Sequence, residues 1–189
     1  MKEDAARWDA RYEASGCFHG AAPSLFLVDN LPLIKSLAPG PLALDIACGE
    51  GRNSIFLAQH GFTVTGIDIS GRGITKARQR MEEEGLVIDF RVADLEKYTF
   101  AEQYDQIINF NFLLRELIPP MVSSLTTGGI ILFDTILDAP SCGTVHNRDY
   151  LLQPGELLRI FSGFDGTILK SEEHPEKDAP TAKLMFRKQ

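Results

Sequence analysis

The chain has 189 residues, of which 44% are hydrophobic and 24% are charged, and its formal net charge is −7 at pH 7. This length and composition predict one globular domain and exclude a disordered chain. Because the acidic balance repels phosphate backbones and anionic membrane surfaces, we expect a small-molecule substrate, and neither nucleic acid nor a membrane as partner.

Two helices are predicted in the first 40 residues. Residues 3–14 place Ala6, Trp8 and Tyr12 near one helical face, which is typical of a short amphipathic helix. After a loop that contains glycines, Ser24 is a candidate N-cap for a second helix that extends to Leu37. Pro32 leaves the middle of that helix in question. We expect residues 1–40 to cover the functional site of the domain.

From residue 41 onward, apolar strands alternate with helices. The predicted strands are 42–47, 62–67, 87–92, 104–110, 128–135, 164–170 and 182–187, and the predicted helices are 52–60, 70–84, a stretch ending near 125, and 154–161. Such alternation indicates right-handed crossovers and a mostly parallel sheet. Because no helix separates the last two strands, they should form an antiparallel hairpin at one edge. The predicted fold class is therefore α/β, a doubly wound seven-stranded sheet in one domain over residues 1–189.

The end of the first strand carries the clearest chemical signal. Asp45 lies near the end of the strand, Gly49 and Gly51 form a turn, and a helix begins at Arg52. Glycines let the backbone approach a ligand, and a helix N-terminus offers free N–H groups. A dinucleotide fingerprint would have a third glycine in place of Ser54 and rarely a carboxylate before the turn. The pattern favours a cationic ligand that carries an ammonium group, and capping of the turn by Asp45 is the alternative.

Two more carboxylates follow the next two strands. Asp68 lies roughly 20 residues beyond the glycines, the spacing at which an acidic residue accepts hydrogen bonds from ribose hydroxyls. Asp94 follows the third strand, where it could accept from the exocyclic amine of adenine. Each carboxylate could instead only cap a helix or turn. Their order at consecutive strand ends favours an adenosine-containing ligand.

These motifs resemble those of class I S-adenosylmethionine-dependent methyltransferases. The resemblance rests on residues 45–54, 66–70 and 93–95, with further stretches at 8–12 and 150–157. Within the class, the chain is similar to the small bacterial group related to the tellurite-resistance and thiopurine methyltransferases. The resemblance implies a Rossmann-like methyltransferase fold, S-adenosylmethionine as cofactor, and methyl transfer to a small-molecule acceptor, and it leaves the acceptor's identity open.

The resemblance also implies a set of cofactor-binding residues. They are Trp8, Arg11, Tyr12, Asp45, Ala47, Cys48, Gly49, Gly51, Arg52, Asn53, Asp68, Ile69, Ala93, Asp94, Leu95, Asn109, Phe110 and Asn111. The glycine turn would frame the methionine moiety, the residues after the second and third strands would hold ribose and adenine, and those after the fourth strand would lie near the sulfonium methyl. Trp8, Arg11 and Tyr12 would fold over the cofactor, with Arg11 near its carboxylate. Helix packing is the alternative for Trp8 and Tyr12.

No residue is assigned a catalytic role from the sequence. Methyl transfer from a sulfonium is an in-line displacement that depends mainly on alignment and exclusion of water. Residues expected near the mouth are His19, Phe112, Arg115, Glu116, His146 and Arg148. Arg115 and Glu116 could orient an anionic substrate or form a surface ion pair, and His146 could be a base or a solvated histidine. Cys48 is expected to pack rather than to act as a nucleophile.

Residues 109–112 lack the Pro-Pro-aromatic pattern of enzymes that methylate nucleobase or glutamine amines, which argues against both substrates. An NAD-type oxidoreductase would share Asp68 but lacks support from a third glycine. A non-catalytic S-adenosylmethionine-binding sensor or partner module remains the main alternative to an enzyme. We also expect residues 1–22 to become ordered when the cofactor binds.

Cysteine usage and hydropathy bear on the compartment. Cys17, Cys48 and Cys142 show no paired spacing, so neither a disulfide framework nor a metal site is expected. The N-terminal sequence does not resemble a signal peptide, and the apolar run at residues 129–133 is too short to span a bilayer. The expected location is the cytoplasm, and the sequence does not indicate the oligomeric state.

Overall fold

The computed structural model describes residues 2–13, 16–140, 148–176 and 179–189. The helices are α1 (Lys2–Arg11), α2 (Leu25–Leu37), α3 (Arg52–Gln59), α4 (Gly71–Glu83), α5 (Ile118–Ser123) and α6 (Glu156–Phe161). The strands are β1 (Leu42–Ile46), β2 (Thr63–Asp68), β3 (Asp89–Val92), β4 (Tyr104–Phe110), β5 (Leu125–Ile136), β6 (Gly166–His174) and β7 (Thr181–Lys188). Short 3-10 helices span Arg115–Leu117 and Arg148–Tyr150.

Among the described residues, the strands form one seven-stranded sheet in the order β3-β2-β1-β4-β5-β7-β6. The first five strands pair in parallel, whereas β7 pairs antiparallel with both β5 and β6. The predicted mostly parallel sheet with an antiparallel edge hairpin is therefore confirmed. The strand order reverses between β1 and β4, and in open α/β sheets a ligand site commonly lies at such a point.

Helices cover both faces of the sheet because successive side chains of a buried strand point to opposite sides. In β4, Ile107 packs in a cluster with residues of α5 and α6, whereas Ile108 packs in a second cluster with residues of α2, α3 and α4. Both isoleucines are fully buried. This arrangement leaves the carboxyl ends of the parallel strands as the edge where loops can form a site.

Ser24 and Pro32 are the two residues of the α2 region for which the sequence raised a specific expectation. Ser24 occupies the N-cap position of α2, as predicted, but its side chain makes no capping hydrogen bond. Instead, the Ser24 amide N donates to Asn53 Oδ1 at 2.9 Å, which ties the start of α2 to α3. Pro32 lies inside α2 without ending it. Burial of Leu27, Leu31 and other side chains on the same helix offsets the missing backbone hydrogen bond.

The strand boundaries differ modestly from expectation. β5 begins at Leu125 rather than at residue 128, because Leu125 pairs with Tyr104 before the ladder resumes at Ile130. β6 continues to His174, four residues beyond the expected end at Lys170, since it stays paired with β7 as far as Thr181. No helix within the described ranges is both long and apolar enough to cross a membrane.

Candidate functional site

A cavity of about 570 Å³ opens at the carboxyl ends of the parallel strands. All but three of the residues predicted to bind cofactor line it, the exceptions being Gly51, Ala93 and Asn109. Residues that the sequence did not single out also line it, including Asp4, Arg7, Phe18, Glu50, Glu96, Leu113, Leu114, Thr135 and Ile136. The structure therefore brings together residues from all of the predicted motif stretches.

The turn after β1 depends on left-handed backbone conformations. Ala47, Gly49 and Gly51 have φ angles of 53°, 54° and 76°. A Cβ atom on Gly49 would lie 2.6 Å from the Tyr12 hydroxyl, so on its cavity side the turn is in close contact with the N-terminal segment that carries Tyr12. A Cβ atom on Gly51 would lie 2.8 Å from the Phe90 ring, so Gly51 is required for packing behind the cavity rather than for lining it.

Asp45 is a buried carboxylate at the end of β1, with 1% of its surface exposed. The Ser54 hydroxyl on α3 donates to Asp45 Oδ2 at 2.6 Å. Burial raises the pKa of Asp45 to about 7, and the nearby Asp68 carboxylate acts in the same direction, whereas the Ser54 hydrogen bond and Arg52 act against it. Asp45 is therefore close to its protonation midpoint near neutral pH.

Asp68, at the end of β2, is held by the backbone on both sides. Gly49 N donates to its Oδ2 and Ser70 N donates to its Oδ1, each at 2.8 Å. Burial raises the pKa of Asp68, and these two amides partly offset the shift by stabilising the anion. The carboxylate thus links the glycine turn to the N-terminus of α4 while still lining the cavity.

The turn after β3 supplies a third carboxylate. Asp94 Oδ1 accepts from Glu96 N at 3.1 Å, and Lys97 Nζ lies 3.5 Å from Asp94 Oδ2. Leu95 is buried beside it, and Ile69 contributes an apolar side chain from the end of β2. Asp45, Gly49, Asp68 and Asp94 lie at three adjacent strand ends, and we call them the strand-end floor.

The opposite wall comes from the N-terminal segment. Trp8 and Tyr12 stack with centroids 5.7 Å apart, and Phe18 meets both rings edge-on. The Arg11 guanidinium lies over the Trp8 ring at 4.6 Å. Burial raises the pKa of Tyr12, with Asp68 and Glu50 adding to the effect, so its hydroxyl stays protonated. We call residues 2–13 and 16–22 the N-terminal cover.

Polar contacts hold the N-terminal cover against the rest of the site. The buried Glu50 carboxylate accepts from Phe18 N at 2.6 Å and from Lys76 Nζ at 3.0 Å. Lys76 Nζ also donates to Gly16 O at 2.9 Å, and Arg52 Nη1 donates to His19 O at 2.9 Å. These contacts attach the loop of the cover to α3, α4 and the glycine turn.

Helix α1 of the cover has its own attachment. Asp9 Oδ1 accepts from Ser70 Oγ at 2.5 Å and from Arg72 N at 3.0 Å, and these hydrogen bonds lower the pKa of Asp9. Ser70 Oγ also caps α4 by accepting from Gly73 N. Since Ser70 N donates to Asp68, the cover and the strand-end floor share one hydrogen-bonded residue.

The end of β4 is only partly as predicted. Phe110 and Asn111 line the cavity, and Asn111 adopts a φ angle of 55°. Asn109 is buried away from the cavity, where its Nδ2 donates to Phe112 O at 2.7 Å. The expectation that Asn109 lines the floor near the methyl group is therefore wrong, because its side chain stabilises the turn that follows the strand.

The expected Arg115 and Glu116 pair does not form. Arg115 makes a two-point ion pair with Glu156, with Nε–Oε1 at 2.6 Å and Nη2–Oε2 at 3.0 Å. The Arg115 guanidinium also donates to the carbonyl oxygens of Asp149 and Leu151, so it stabilises the start of α6 and does not line the cavity. Glu116 is exposed and outside the cavity.

The remaining candidates near the mouth have different outcomes. His19 and Phe112 line the cavity. Burial lowers the pKa of His19, and Arg52 adds to the effect, which favours a neutral imidazole. His146 lies outside the described residues, as does the side chain of Arg148. Burial raises the pKa of Cys48 well above its usual value, which agrees with packing rather than nucleophilic chemistry.

Sequence inspection missed two residues with defined polar roles, Glu50 and Ser54. Both lie inside the recognised glycine-turn stretch, and each occupies a position where a small or exposed residue would be expected. The signal for Ser54 was a hydroxyl in place of the third glycine, three residues after Gly51. Across the described ranges, no group of three or more His, Cys, Asp or Glu side chains could hold a metal ion.

Comparison with known proteins agrees with this geometry. Residues 43–129 match the model of a family described as methyltransferase domain. A stretch of 100 residues is 34% identical to TehB of Haemophilus influenzae, named as a probable S-adenosyl-L-methionine-dependent methyltransferase, and covers 51% of this chain and 35% of that protein. A stretch of 110 residues is 34% identical to the ubiquinone biosynthesis O-methyltransferase of Actinobacillus pleuropneumoniae, covering 51% and 46%. The chain thus spans a third to a half of the length of these relatives.

Solved structures support the fold. The crystal structure of TehB from Haemophilus influenzae has a TM-score of 0.74 at 23% identity, over 86% of this chain and 62% of that one. The N-methyltransferase NodS of Bradyrhizobium japonicum, in complex with S-adenosyl-L-homocysteine, also has a TM-score of 0.74, at 20% identity over 97% of each chain. The fold is that of Rossmann-like methyltransferases. The motifs and matches make the chain similar to class I S-adenosylmethionine-dependent methyltransferases, whose cofactor is S-adenosylmethionine. Within that class it resembles TehB.

Proposed function

We propose that this chain transfers the methyl group of S-adenosylmethionine to a small-molecule acceptor. The observation that carries the proposal is that Asp45, Asp68 and Asp94, at three adjacent strand ends, all line one cavity together with the glycine turn. Carboxylates suit an ammonium group, ribose hydroxyls and an adenine amine, and they suit a pyrophosphate poorly. This set of acceptor groups therefore fits S-adenosylmethionine better than a dinucleotide.

The three carboxylates are assigned in chain order. Asp45 binds the ammonium group of the methionine moiety, Asp68 the ribose and Asp94 the adenine edge. A carboxylate can accept about four hydrogen bonds, so the two backbone amides on Asp68 fix its orientation and leave acceptor capacity for ribose hydroxyls. Arg11, in the N-terminal cover, is placed on the cavity wall where it can pair with the cofactor carboxylate.

The chain's own contribution to catalysis is positioning and exclusion of water. When bound, S-adenosylmethionine supplies an electrophilic methyl group on a sulfonium that is already a good leaving group. Phe112, Leu114, Ile136 and Tyr150 give the cavity an apolar wall that can hold an acceptor in line. The aromatic residues of the N-terminal cover exclude water from the same space. His19, in the N-terminal cover, also lines the cavity. Its imidazole is neutral near pH 7 and could take a proton from an acceptor.

Ligand-dependent stabilisation tests cofactor choice. The thermal midpoint is measured alone and with S-adenosylmethionine, S-adenosylhomocysteine or NADH, for the wild type, Asp68→Ala and Asp105→Ala. Asp105 is a matched control, since it is also buried and accepts hydrogen bonds from Leu42 N and Thr126 Oγ1 near the amino ends of β1 and β4. A ligand at 100 times its Kd should add about 2.7 kcal/mol. The two sulfur ligands should stabilise the wild type and Asp105→Ala, and much less so Asp68→Ala. Stabilisation by NADH alone would overturn the proposal.

Turnover separates an enzyme from a binding module. S-adenosylhomocysteine release is followed with a panel of small thiol, hydroxyl and amine acceptors. Release that depends on an acceptor supports methyl transfer. Tight cofactor binding without release for any acceptor in the panel would favour a non-catalytic S-adenosylmethionine-binding protein instead.

A further inference from the structure

We infer that Ser54 is a positioning residue for the cofactor, because its hydroxyl holds Asp45 in the orientation that receives the ammonium group of the methionine moiety. The inference rests on the proposed function and assigns a role to a side chain outside the predicted set of cofactor-binding residues. Ser54 is fully buried, and its Oγ donates to Asp45 Oδ2 at 2.6 Å. The hydroxyl therefore occupies one oxygen of a carboxylate that lines the cavity.

The local backbone explains why a serine is needed at this position. Asp45 lies on the sheet face covered by α3, and Ser54 is in the first turn of that helix. In a dinucleotide-binding turn, the third glycine allows close packing of helix on strand, and a carboxylate before the glycines is rare. Here the buried Asp45 needs a donor, since an unpaired buried carboxylate is strongly disfavoured. Ser54 and Asp45 thus form a matched pair.

The charges around Asp45 make Ser54 important for its ionisation. Two acidic groups face the Asp45 carboxylate, Asp68 on β2 and the Cys48 thiol in the turn. The nearby cation is Arg52 on α3. Strand β4 contributes the neutral Asn109 at the neighbouring register position. Burial raises the pKa of Asp45 to about 7, and the Ser54 hydrogen bond limits that rise. Without the hydroxyl, the carboxylate would take up a proton at higher pH and lose its attraction for ammonium.

The test compares two ligands that differ only at the methionine end. Binding of S-adenosylhomocysteine and of 5′-methylthioadenosine, which lacks the amino and carboxylate groups, is measured from pH 5.5 to 8.5. For Ser54→Ala we expect S-adenosylhomocysteine to bind about tenfold more weakly at pH 7.5, as for loss of a hydrogen bond to a charged group. 5′-Methylthioadenosine should bind within about twofold of wild type. The pH midpoint for S-adenosylhomocysteine binding, near 7 in the wild type, should move upward.

Three further variants keep the result interpretable. Ser54→Thr retains the hydroxyl and should keep the wild-type pH midpoint even if the added methyl lowers stability. Ser124→Ala removes a buried hydroxyl that donates to Met121 O, far from the cavity, and should change neither ligand's affinity. In an Asp45→Asn background, Ser54→Ala should have no further effect on S-adenosylhomocysteine affinity, because the two residues act as one unit.

Equal weakening of both ligands by Ser54→Ala, or an unchanged pH midpoint, would overturn the inference and leave Ser54 a packing residue. Absence of S-adenosylhomocysteine binding by the wild type would instead refute the proposed function. The two failures are therefore distinguishable from the same set of titrations.

Discussion

The strand-end floor and the N-terminal cover face each other across one cavity, but they are stabilised in different ways. In the floor, Asp45 and Asp68 are buried and accept hydrogen bonds from groups that are themselves buried. In the cover, Lys76 and Arg52 reach from the body of the protein to backbone carbonyls of an exposed loop. Asp45 and Asp68 are therefore fixed by the core, whereas the loop at residues 16–22 of the cover is held by exposed contacts, which favours local opening of that loop. This difference suits a site that must hold a cofactor rigidly and still exchange it.

The largest expected effect concerns the stability that is lost when the strand-end floor keeps Asp45 ionised. Asp45→Asn should abolish tight S-adenosylhomocysteine binding and yet stabilise the ligand-free protein at pH 8. Because the folded-state pKa of about 7 lies above the usual 3.8, the charge on Asp45 lowers stability progressively between about pH 4 and pH 7, and the full loss persists at pH 8. The three-unit difference corresponds to about 4 kcal/mol as an upper bound. Below about pH 4, where the carboxyl is protonated in both states, wild type and Asp45→Asn should be equally stable.

Urea unfolding of the ligand-free protein at several pH values measures this difference. Asp105→Asn, in a buried carboxylate remote from the cavity, is the control and should leave S-adenosylhomocysteine affinity unchanged. A destabilisation by Asp45→Asn that is equal at pH 5 and pH 8 would show that the charge of Asp45 is not strained in the free protein.

The second largest effect is expected at Gly49, where the strand-end floor contacts the N-terminal cover. Gly49→Ala introduces a Cβ 2.6 Å from the Tyr12 hydroxyl, at a φ of 54° that costs a side chain roughly 1–2 kcal/mol. Both S-adenosylhomocysteine affinity and stability should fall. Because Trp8 is the single tryptophan of the chain and stacks on Tyr12, its fluorescence reports displacement of the cover. In the double variant Gly49→Ala/Tyr12→Phe, the clashing hydroxyl is gone, so the Trp8 emission should return to that of the wild type while the backbone strain at residue 49 remains. If the emission does not return, the glycine turn is displaced and the cover is not.

The same contrast explains what the sequence could predict. The floor residues lie within a few positions of strand ends, so strand periodicity and glycine spacing were sufficient to find Asp45, Asp68 and Asp94. The contacts that hold the cover join residues such as Phe18 and Glu50, which are 32 positions apart. Arg115 shows the same limit, since its partner is Glu156 and not the adjacent Glu116. Pairings across such distances depend on the folded topology, which local patterns do not encode.

The smallest expected effect is confined to the cover. Glu50→Gln retains an acceptor for Phe18 N but removes the ion pair with Lys76, so the loop at residues 16–22 should open more often while the floor stays intact. We expect about tenfold faster proteolysis within residues 16–22 and a change of thermal midpoint of only about 1–3 °C. Glu13→Gln, which removes an exposed pair with Arg72, should leave the cleavage rate unchanged. S-adenosylhomocysteine should slow cleavage of both variants, because a bound cofactor favours the closed cover. Cleavage of Glu50→Gln at the wild-type rate would show that the ion pair with Lys76 does not hold the loop and that its backbone contacts are sufficient. Residues 16–22 would then belong with the rigid floor, and only α1 would form a separable cover.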